Sequence, residues 1–337
     1  LKVLVYPITD PIFGAATDAI AGLWEKKHRP YALRTVTPDN YLAPLRLNGS
    51  DTGVVPLSRD DAGEWQRLSA GRALLFVHGT FSTTHGGFGG LPLAVMQELA
   101  TRYGGRVIGF DHPSLSHDPR RNVAEFFEHV PAGTTLDVDI VCHSRGGLVS
   151  RELDQAGRPD LKVGRIVFVG VPNAGTALAD PNHMVSMIDR LTSALNLLPD
   201  GTLSTVLESL LTAVKVIGRG GLKSLDGLAA MNPTGAYLPA LAAGTQGGAT
   251  YVAITADYEP TDTAFGSLVL NGAVDRIFEN ARNDLVVPTD GVFQANAPSF
   301  PIPVASLLKI APSNGVLHTT YFRHQPVHEA LLRWLKG

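Results

Sequence analysis

From residue 72 onward the chain keeps two alternating hydrophobic rhythms. RALLFVHG, RVIGFDHP, LDVDIVCHS and VGRIVFVGVP are short apolar runs, mostly rich in β-branched residues. Runs of this kind, bounded by turn residues, predict strands buried on both faces. Between them, apolar residues recur three and four apart. Leu93, Met96, Leu99 and Ala100 do so in one stretch, Val123, Phe126, Phe127 and Val130 in the next, and GGLVSRELDQAG supplies a third. That spacing puts the apolar side chains on one helical face. Strands separated by such helices predict repeated βαβ units, whose crossovers demand a parallel sheet covered on both sides. TYVAITADY (250–258) and PIPVASLLKI (301–310) continue the strand series, and PVHEALLRWLK closes the chain as a helix.

The alternation fails in two places. Met184, Met187, Ile188, Leu191, Leu195 and Leu198 fall at helix spacing, and Leu203, Val206, Leu207, Leu210, Leu211 and Val214 repeat it after Pro199-Asp200-Gly201. Two amphipathic helices without an intervening strand predict an insertion, about 183–230, that either covers the core or caps a site at the C-terminal edge of the sheet. Residues 1–70 have no such rhythm: LKVLVY reads as a strand, TDAIAGLWEKKH as a helix, and the rest as extended pieces broken by Pro and Asn-Gly. The expected organisation is an N-terminal extension, 1–70, packed on a main domain of residues 71–337, with a separate small β-domain as the alternative for 1–70.

Composition narrows the function classes. Among 337 residues, 28 Lys and Arg face 31 Asp and Glu, a net charge of -3 that offers no general cationic surface to nucleic acid. One cysteine excludes an intrachain disulfide and any multi-cysteine metal cluster. No run of about 18 apolar residues predicts a membrane span. The opening LKVLVYPITD lacks the pattern of a signal peptide, which gives the expectation of a cytoplasmic protein, although Leu1 in place of Met leaves open what preceded it. The oligomeric state is not legible.

The sharpest chemical signal is VDIVCHSRGGLVS. A strand ends at Cys142, Ser144 stands two residues on, and Gly146-Gly147 open a helix. A serine at so tight a strand–turn–helix junction is lifted clear of the backbone, and only small residues fit beside it. The pentapeptide alone occurs by chance roughly 0.4 times in such a chain, and APSNG at 311–315 is a decoy that lacks the following helix. Context selects Ser144 as nucleophile. Cys142, at the strand end, reads as a small buried apolar residue, and His143 as pocket lining or packing.

A serine hydroxyl needs a histidine to take its proton and a carboxylate to hold that histidine, and on a parallel α/β sheet these follow in the order acid, then base. Of His318, His324 and His328, the last two adjoin or lie in the terminal helix, whereas His318 sits in a loop after the final strand. Asp284, in the turn of ENARNDLVVPTDG, is the favoured acid; Asp257, directly after TYVAITA, is the alternative, and Asp290 in PTDG reads as a turn carboxylate. The oxyanion requires two main-chain N–H donors. Arg145, at the helix start, is one, and Thr80 or Phe81 in HGTFSTTHGGFGG is the other.

Together, LLFVHGTFST, GFDHPSLS, VCHSRGGLVSR, VGVPNAGTALAD, NDLVVP and the LH pair resemble the lipase/esterase branch of the α/β-hydrolase superfamily, with bacterial triacylglycerol lipases and the PGAP1-like group nearest. The resemblance spans about 72–335 and has no counterpart for 1–70. It implies a three-layer α/β-hydrolase fold with an eight-stranded, mostly parallel central sheet and a helical cap insertion. It also implies carboxylic ester hydrolysis through an acyl-enzyme by Ser144, Asp284 and His318, with Thr80 and Arg145 forming the oxyanion hole. Two departures stand out: Cys142 replaces the usual first glycine of the turn, and Leu285 replaces the glycine after the acid.

No phosphate-cradling G-x-x-x-x-G-K-[S/T], dinucleotide fingerprint or H-E-x-x-H is present, so no cofactor and no metal are expected. His112 and His117 in DHPSLSHD read as cleft-lining rather than metal-ligating. The expected partner is a small-molecule or lipid ester, without nucleic acid or stable membrane insertion. A thioesterase, amidase or polyester depolymerase shares the same triad and differs in its pocket. A non-catalytic binding protein on this fold is the rival of a different class.

Overall fold

The computed structural model describes residue 25 and residues 29–46, 52–80, 82–180, 225–258, 282–284, 286–312 and 315–337. The helix pair expected within 183–217, the strand LKVLVY and, apart from the helical Glu25, the helix TDAIAGLWEKKH lie outside the described residues.

The strands are β1 (Ala32–Thr35), β2 (Ala73–Val77), β3 (Val107–Asp111), β4 (Leu136–His143), β5 (Leu161–Val169), β6 (Thr250–Ala256) and β7 (Leu307–Ile310). The helices are α1 (Ala62–Ser69), α2 (Thr84–Phe88), α3 (Leu93–Arg102), α4 (Pro119–His129), α5 (Gly146–Gln155), α6 (Asp226–Ala229), α7 (Tyr237–Ala243) and α8 (Gln325–Trp334). The strands form one sheet in the order β1-β3-β2-β4-β5-β6-β7. β1 runs antiparallel to β3, and every other neighbouring pair is parallel. The resemblance implied eight strands; seven are formed by the described residues.

The continuous apolar runs are explained by burial on both faces. Along β2, Ala73, Leu75 and Val77 point into one core with Trp65 and Leu68 of α1 and Phe126 of α4. The intervening Leu74 and Phe76 point into a second core with Met96 and Leu99 of α3 and Val327 and Leu331 of α8. Period-two alternation thus divides one strand between two helical layers. This is the three-layer, mostly parallel architecture of the α/β-hydrolases. The periodicity was shifted in α3: Val95, Met96 and Leu99 are buried, while Leu93, expected on the apolar face, is exposed at the first turn. The strand expected over 301–310 starts only at Leu307, because Pro301 and Pro303 supply no N–H to the ladder and 304–306 form a single tight turn.

Residues of the N-terminal segment are built into this body. β1 adds the antiparallel edge beside β3. The Glu25 carboxylate accepts main-chain N–H bonds from Ser114 (2.5 Å), Leu115 (2.8 Å) and Ser116 (2.8 Å) in the loop after β3. Among the described residues, no helix is long and apolar enough to cross a membrane.

The topology also places the site. After β2 the chain moves outward to β3, then returns to lay β4 on the other side of β2. The loops leaving the C-terminal ends of β2 and β4 therefore diverge and open a crevice between them, as at the switch point of other parallel sheets. Val77, at the end of β2, is the direct register partner of Cys142, near the end of β4.

Candidate active site

β4 ends at His143 and α5 starts at Gly146, so the chain reverses within two residues. Ser144 takes the strain: its φ is 53°, the one positive value of a non-glycine residue among the described residues. A left-handed L-residue costs about 1–2 kcal/mol, which the surrounding packing must offset. The Ser144 N–H donates to Val169 O at 3.0 Å, tying the turn to the end of β5.

Ser144 Oγ lies 2.9 Å from His318 Nε2, and His318 Nδ1 lies 2.9 Å from Asp284 Oδ2. All three residues are buried. Serine, base and acid come from three separate loops, 174 and 34 positions apart in the two contacts. The His318 N–H also donates to the main-chain oxygen of Asp284 at 3.0 Å, so the acid and base loops are joined through their backbones as well. Asp284 Oδ1 accepts the N–H groups of Val286 (3.0 Å) and Val287 (2.8 Å). Burial pushes the Asp284 carboxyl upward; the charge and hydrogen bond of His318, with the Val287 N–H and Tyr321 hydroxyl, outweigh it and hold the group below its ordinary value. Asp284 is thus an ionised acceptor that fixes which imidazole nitrogen carries hydrogen.

The loop after β2 closes against the same turn. A Cβ on Gly79 would stand 2.7 Å from Ser144 Cβ, so the two segments are in contact. Among the described residues, the main-chain N–H groups of Thr80 and Arg145 have no hydrogen-bond partner. Phe81, the other donor considered, lies outside the described residues. The Arg145 side chain turns inward and is buried, with Nε donating to Gly227 O at 2.8 Å and Nη2 to Asn122 Oδ1 at 2.9 Å and to His117 O. It joins the start of α5 to α4, to the loop after β3 and to α6.

Among the described residues, the other histidines and the two alternative carboxylates are engaged elsewhere. His143 Nε2 donates to the carbonyl of His318 at 2.7 Å. Burial, reinforced by the adjacent His318, pushes its imidazole down to about 3, so it stays neutral. Cys142 donates from Sγ to Val167 O at 3.3 Å, and burial raises its thiol to about 12, which leaves no thiolate nucleophile. His78 and His112 stack with ring centroids 4.1 Å apart, while His117 bonds the Tyr31 hydroxyl at 2.7 Å. Among the described residues no group of three potential metal ligands forms. His85 bonds Thr83 Oγ1, His324 lies at Thr320 Oγ1, and His328 bonds Phe322 O. Asp257 caps the end of β6, its N–H bonded to Ile310 O at 3.2 Å, and the carboxylate that meets His318 is that of Asp284. Asp290 is exposed and pairs with Arg282 at 3.5 Å. A cavity of about 630 Å³ opens at the opposite end of the strands, lined by Arg72, Asp139, Lys162 and Arg165 among others, away from Ser144.

A family model described as a domain of unknown function (DUF7379) matches residues 30–336. The chain belongs to this family. No curated protein matches it. Several solved structures are similar to this DUF7379 chain. The mature form of lipase BlEst2 from Bacillus licheniformis is 16% identical, covering 79% of this chain and 92% of its own, with a TM-score of 0.48. Lipase 1 from Pelosinus fermentans is 13% identical over 78% of this chain and 98% of its own, TM-score 0.49. Lipase B of Aspergillus fumigatus is 13% identical over 83% and 56%, TM-score 0.47.

What the DUF7379 site can do follows from its own distances. A hydroxyl on a strained turn, an imidazole within hydrogen-bond reach and a buried carboxylate behind it form the triad-like arrangement of a serine hydrolase. Sequence reasoning missed one partner of this arrangement, Tyr321. Its only local signal is the H-T-T-Y spacing, which brings residue 321 back towards residue 318 within one turn of chain.

Proposed function

We propose that this protein hydrolyses carboxylic esters through an acyl-enzyme. In this reading Ser144 is the nucleophile, His318 the base and then the acid, and Asp284 the residue that orients His318. Ser144 Oγ attacks the ester carbonyl carbon while His318 Nε2 takes the hydroxyl proton. The carbonyl π electrons move to oxygen, giving a tetrahedral oxyanion that the N–H groups of Thr80 and Arg145 stabilise. As the intermediate collapses, the ester C–O bond breaks and the imidazolium returns its proton to the leaving alkoxide. Water then attacks the acyl-serine, gives its proton to His318, and the acid departs with Ser144 regenerated. The observation that carries the reading is the unbroken series from Ser144 Oγ to His318 and Asp284, at 2.9 Å in both steps.

The finer reading concerns the acyl group. The segment 183–217, whose spacing predicts two amphipathic helices, carries Leu and Met at the apolar positions and follows β5 in the chain, the strand whose C-terminal end lies on the Ser144 side of the sheet. We assign it as a cap over the main domain that walls the acyl side, favouring chains near C4–C10. Each buried methylene contributes about 0.8 kcal/mol until the pocket is full. The lipase/esterase branch, including lipid esters, follows from the same motifs. A p-nitrophenyl ester series from C2 to C16, with Ser144→Ala as control, tests both levels. Fluorophosphonate labelling at a serine other than 144, or undiminished turnover by Ser144→Ala, overturns the assignment. A flat or acetate-centred profile removes only the acyl preference.

A further inference from the structure

The carboxylate of Asp284 holds more partners than a triad requires. Its Oδ2 receives His318 Nδ1–H and also the hydroxyl of Tyr321, both at 2.9 Å. Its Oδ1 is taken by the two N–H groups of Val286 and Val287. Four donors surround one carboxylate, and three come from outside the base.

The Tyr321 hydroxyl donates its proton to Asp284. The hydroxyl oxygen accepts the N–H of Ala256, the last residue of β6, at 2.9 Å. With that donor on the oxygen, the phenolic hydrogen is directed to Asp284 Oδ2. The ring is fully buried, and burial, followed by the neighbouring Asp284 charge, raises the phenol well above its ordinary value, so the donor is permanent. The fold also makes room for the convergence. Gly170, directly after β5, has φ +56°, and a Cβ there would stand 2.8 Å from Tyr321 Cε2, 3.1 Å from Asp284 Oδ2 and 3.3 Å from His318 Nδ1. A side chain at this position would enter the space where phenol, carboxylate and imidazole meet.

We infer that Tyr321 is a positioning residue for the triad, a fourth member that locks the Asp284 carboxylate in rotation and ties it to β6. It does not touch the reacting atoms. Filling the second lone pair of Oδ2 holds that oxygen in line with His318 Nδ1–H. It also withdraws charge from the carboxylate, so the imidazolium formed during attack is held less tightly and returns its proton to the leaving group. The titratable groups facing this cluster are His318 and Tyr321 from the loop after β7 and His143 from β4. The inference rests on the triad reading, so its test keeps the two apart.

The experiment measures kcat and KM of wild type, Tyr321→Phe and Ser144→Ala on p-nitrophenyl butyrate across pH, with active sites counted by fluorophosphonate titration so that only folded enzyme is scored. Loss of a hydrogen bond to a charged group predicts kcat per titrated site for Tyr321→Phe about tenfold lower. KM should be little changed, and the acid limb of kcat/KM should move to higher pH. A merely structural role would lower the titratable fraction but leave kcat per site and the limb in place. A Tyr321→Phe enzyme with wild-type kcat per site and an unmoved limb, beside an inactive Ser144→Ala, overturns this inference alone. A Ser144→Ala enzyme with full turnover overturns the triad reading itself.

Discussion

Gly146, the first residue of α5, is the position where one methyl group does most damage. A Cβ on Gly146 would stand 2.3 Å from Val77 O and 2.5 Å from His78 O, both main-chain atoms at the end of β2. Ordinary contact begins near 3.4 Å, so the helix start must retreat by 3.4 minus 2.3, about 1 Å. Neither oxygen can rotate away, because both belong to the strand end that leads into Gly79 and Thr80. The retreat therefore carries Ser144 and Arg145 away from the loop that faces them. Overpacking of this kind costs roughly 1–3 kcal/mol of stability, and a misplacement near 1 Å at reacting groups costs on the order of 10² in rate. Gly147 is the internal control. The nearest atoms a Cβ there would meet all belong to the Val171 side chain, at 2.2 Å from Cγ1, and that side chain can be shortened. Gly146→Ala should lose about a hundredfold in kcat/KM and a few degrees in Tm. Gly147→Ala should lose stability with less activity, and adding Val171→Ala should restore part of both. Thermal unfolding by circular dichroism and p-nitrophenyl ester kinetics measure the two quantities. Wild-type kcat/KM and Tm in Gly146→Ala would refute the claim that close approach of α5 to β2 sets the serine.

Other outcomes follow from the same distances. Ser144→Ala should abolish turnover and phosphonate labelling while the fold survives, since the serine sits on a turn. Ser144→Gly should be equally inactive but more stable than Ser144→Ala by about 1 kcal/mol, because glycine adopts the φ of 53° without strain; equal Tm values would contradict this. Asp284→Asn should lower kcat by roughly 10³–10⁴, whereas Asp257→Asn should leave it nearly unchanged; the reverse order would move the acid. Folding pins the His143 imidazole down to about 3 from an unfolded value of about 6.5. The unfolded chain therefore binds a proton that the folded one refuses, so this residue removes stability as pH falls from about 6.5 towards 3. His143→Phe should flatten that part of the acid-unfolding curve, and an unchanged slope would refute it. The Asp284 shift has the opposite origin and a lower window: its stabilisation is complete above about 4 and is lost as pH falls through the depressed folded value. Acid unfolding of Asp284→Asn should lack that lower component.

The layered fold could be read from the chain because each strand carries its own burial pattern. ALLFV is apolar at every position, and a strand apolar on both sides has to be covered on both sides, whatever its neighbours are. The serine turn was legible for a similar reason: CHSRGG packs the strand end, the nucleophile and the helix start into one local segment. The edge strand β1 was not legible, since Ala32–Thr35 is four residues long and is defined by pairing with β3, about 75 positions away along the register. The sequence limited the acid and the base to a few loop residues. Which of them meet depends on where loops leave the sheet. Asp284 lies 34 positions from His318 and Ser144 lies 174 positions from it, and no local spacing encodes such contacts. Tyr321 escaped sequence reading altogether, because a tyrosine between Thr320 and Phe322 looks like any other core aromatic. Its chemistry comes from a buried hydroxyl with Ala256 N–H on one side and Asp284 on the other. Short-range pattern determined the layers and the candidate nucleophile; the meeting of the three distant loops that follow β4, β6 and β7 was decided by the tertiary structure alone, because hydrogen-bond geometry depends on distances in space and not along the chain.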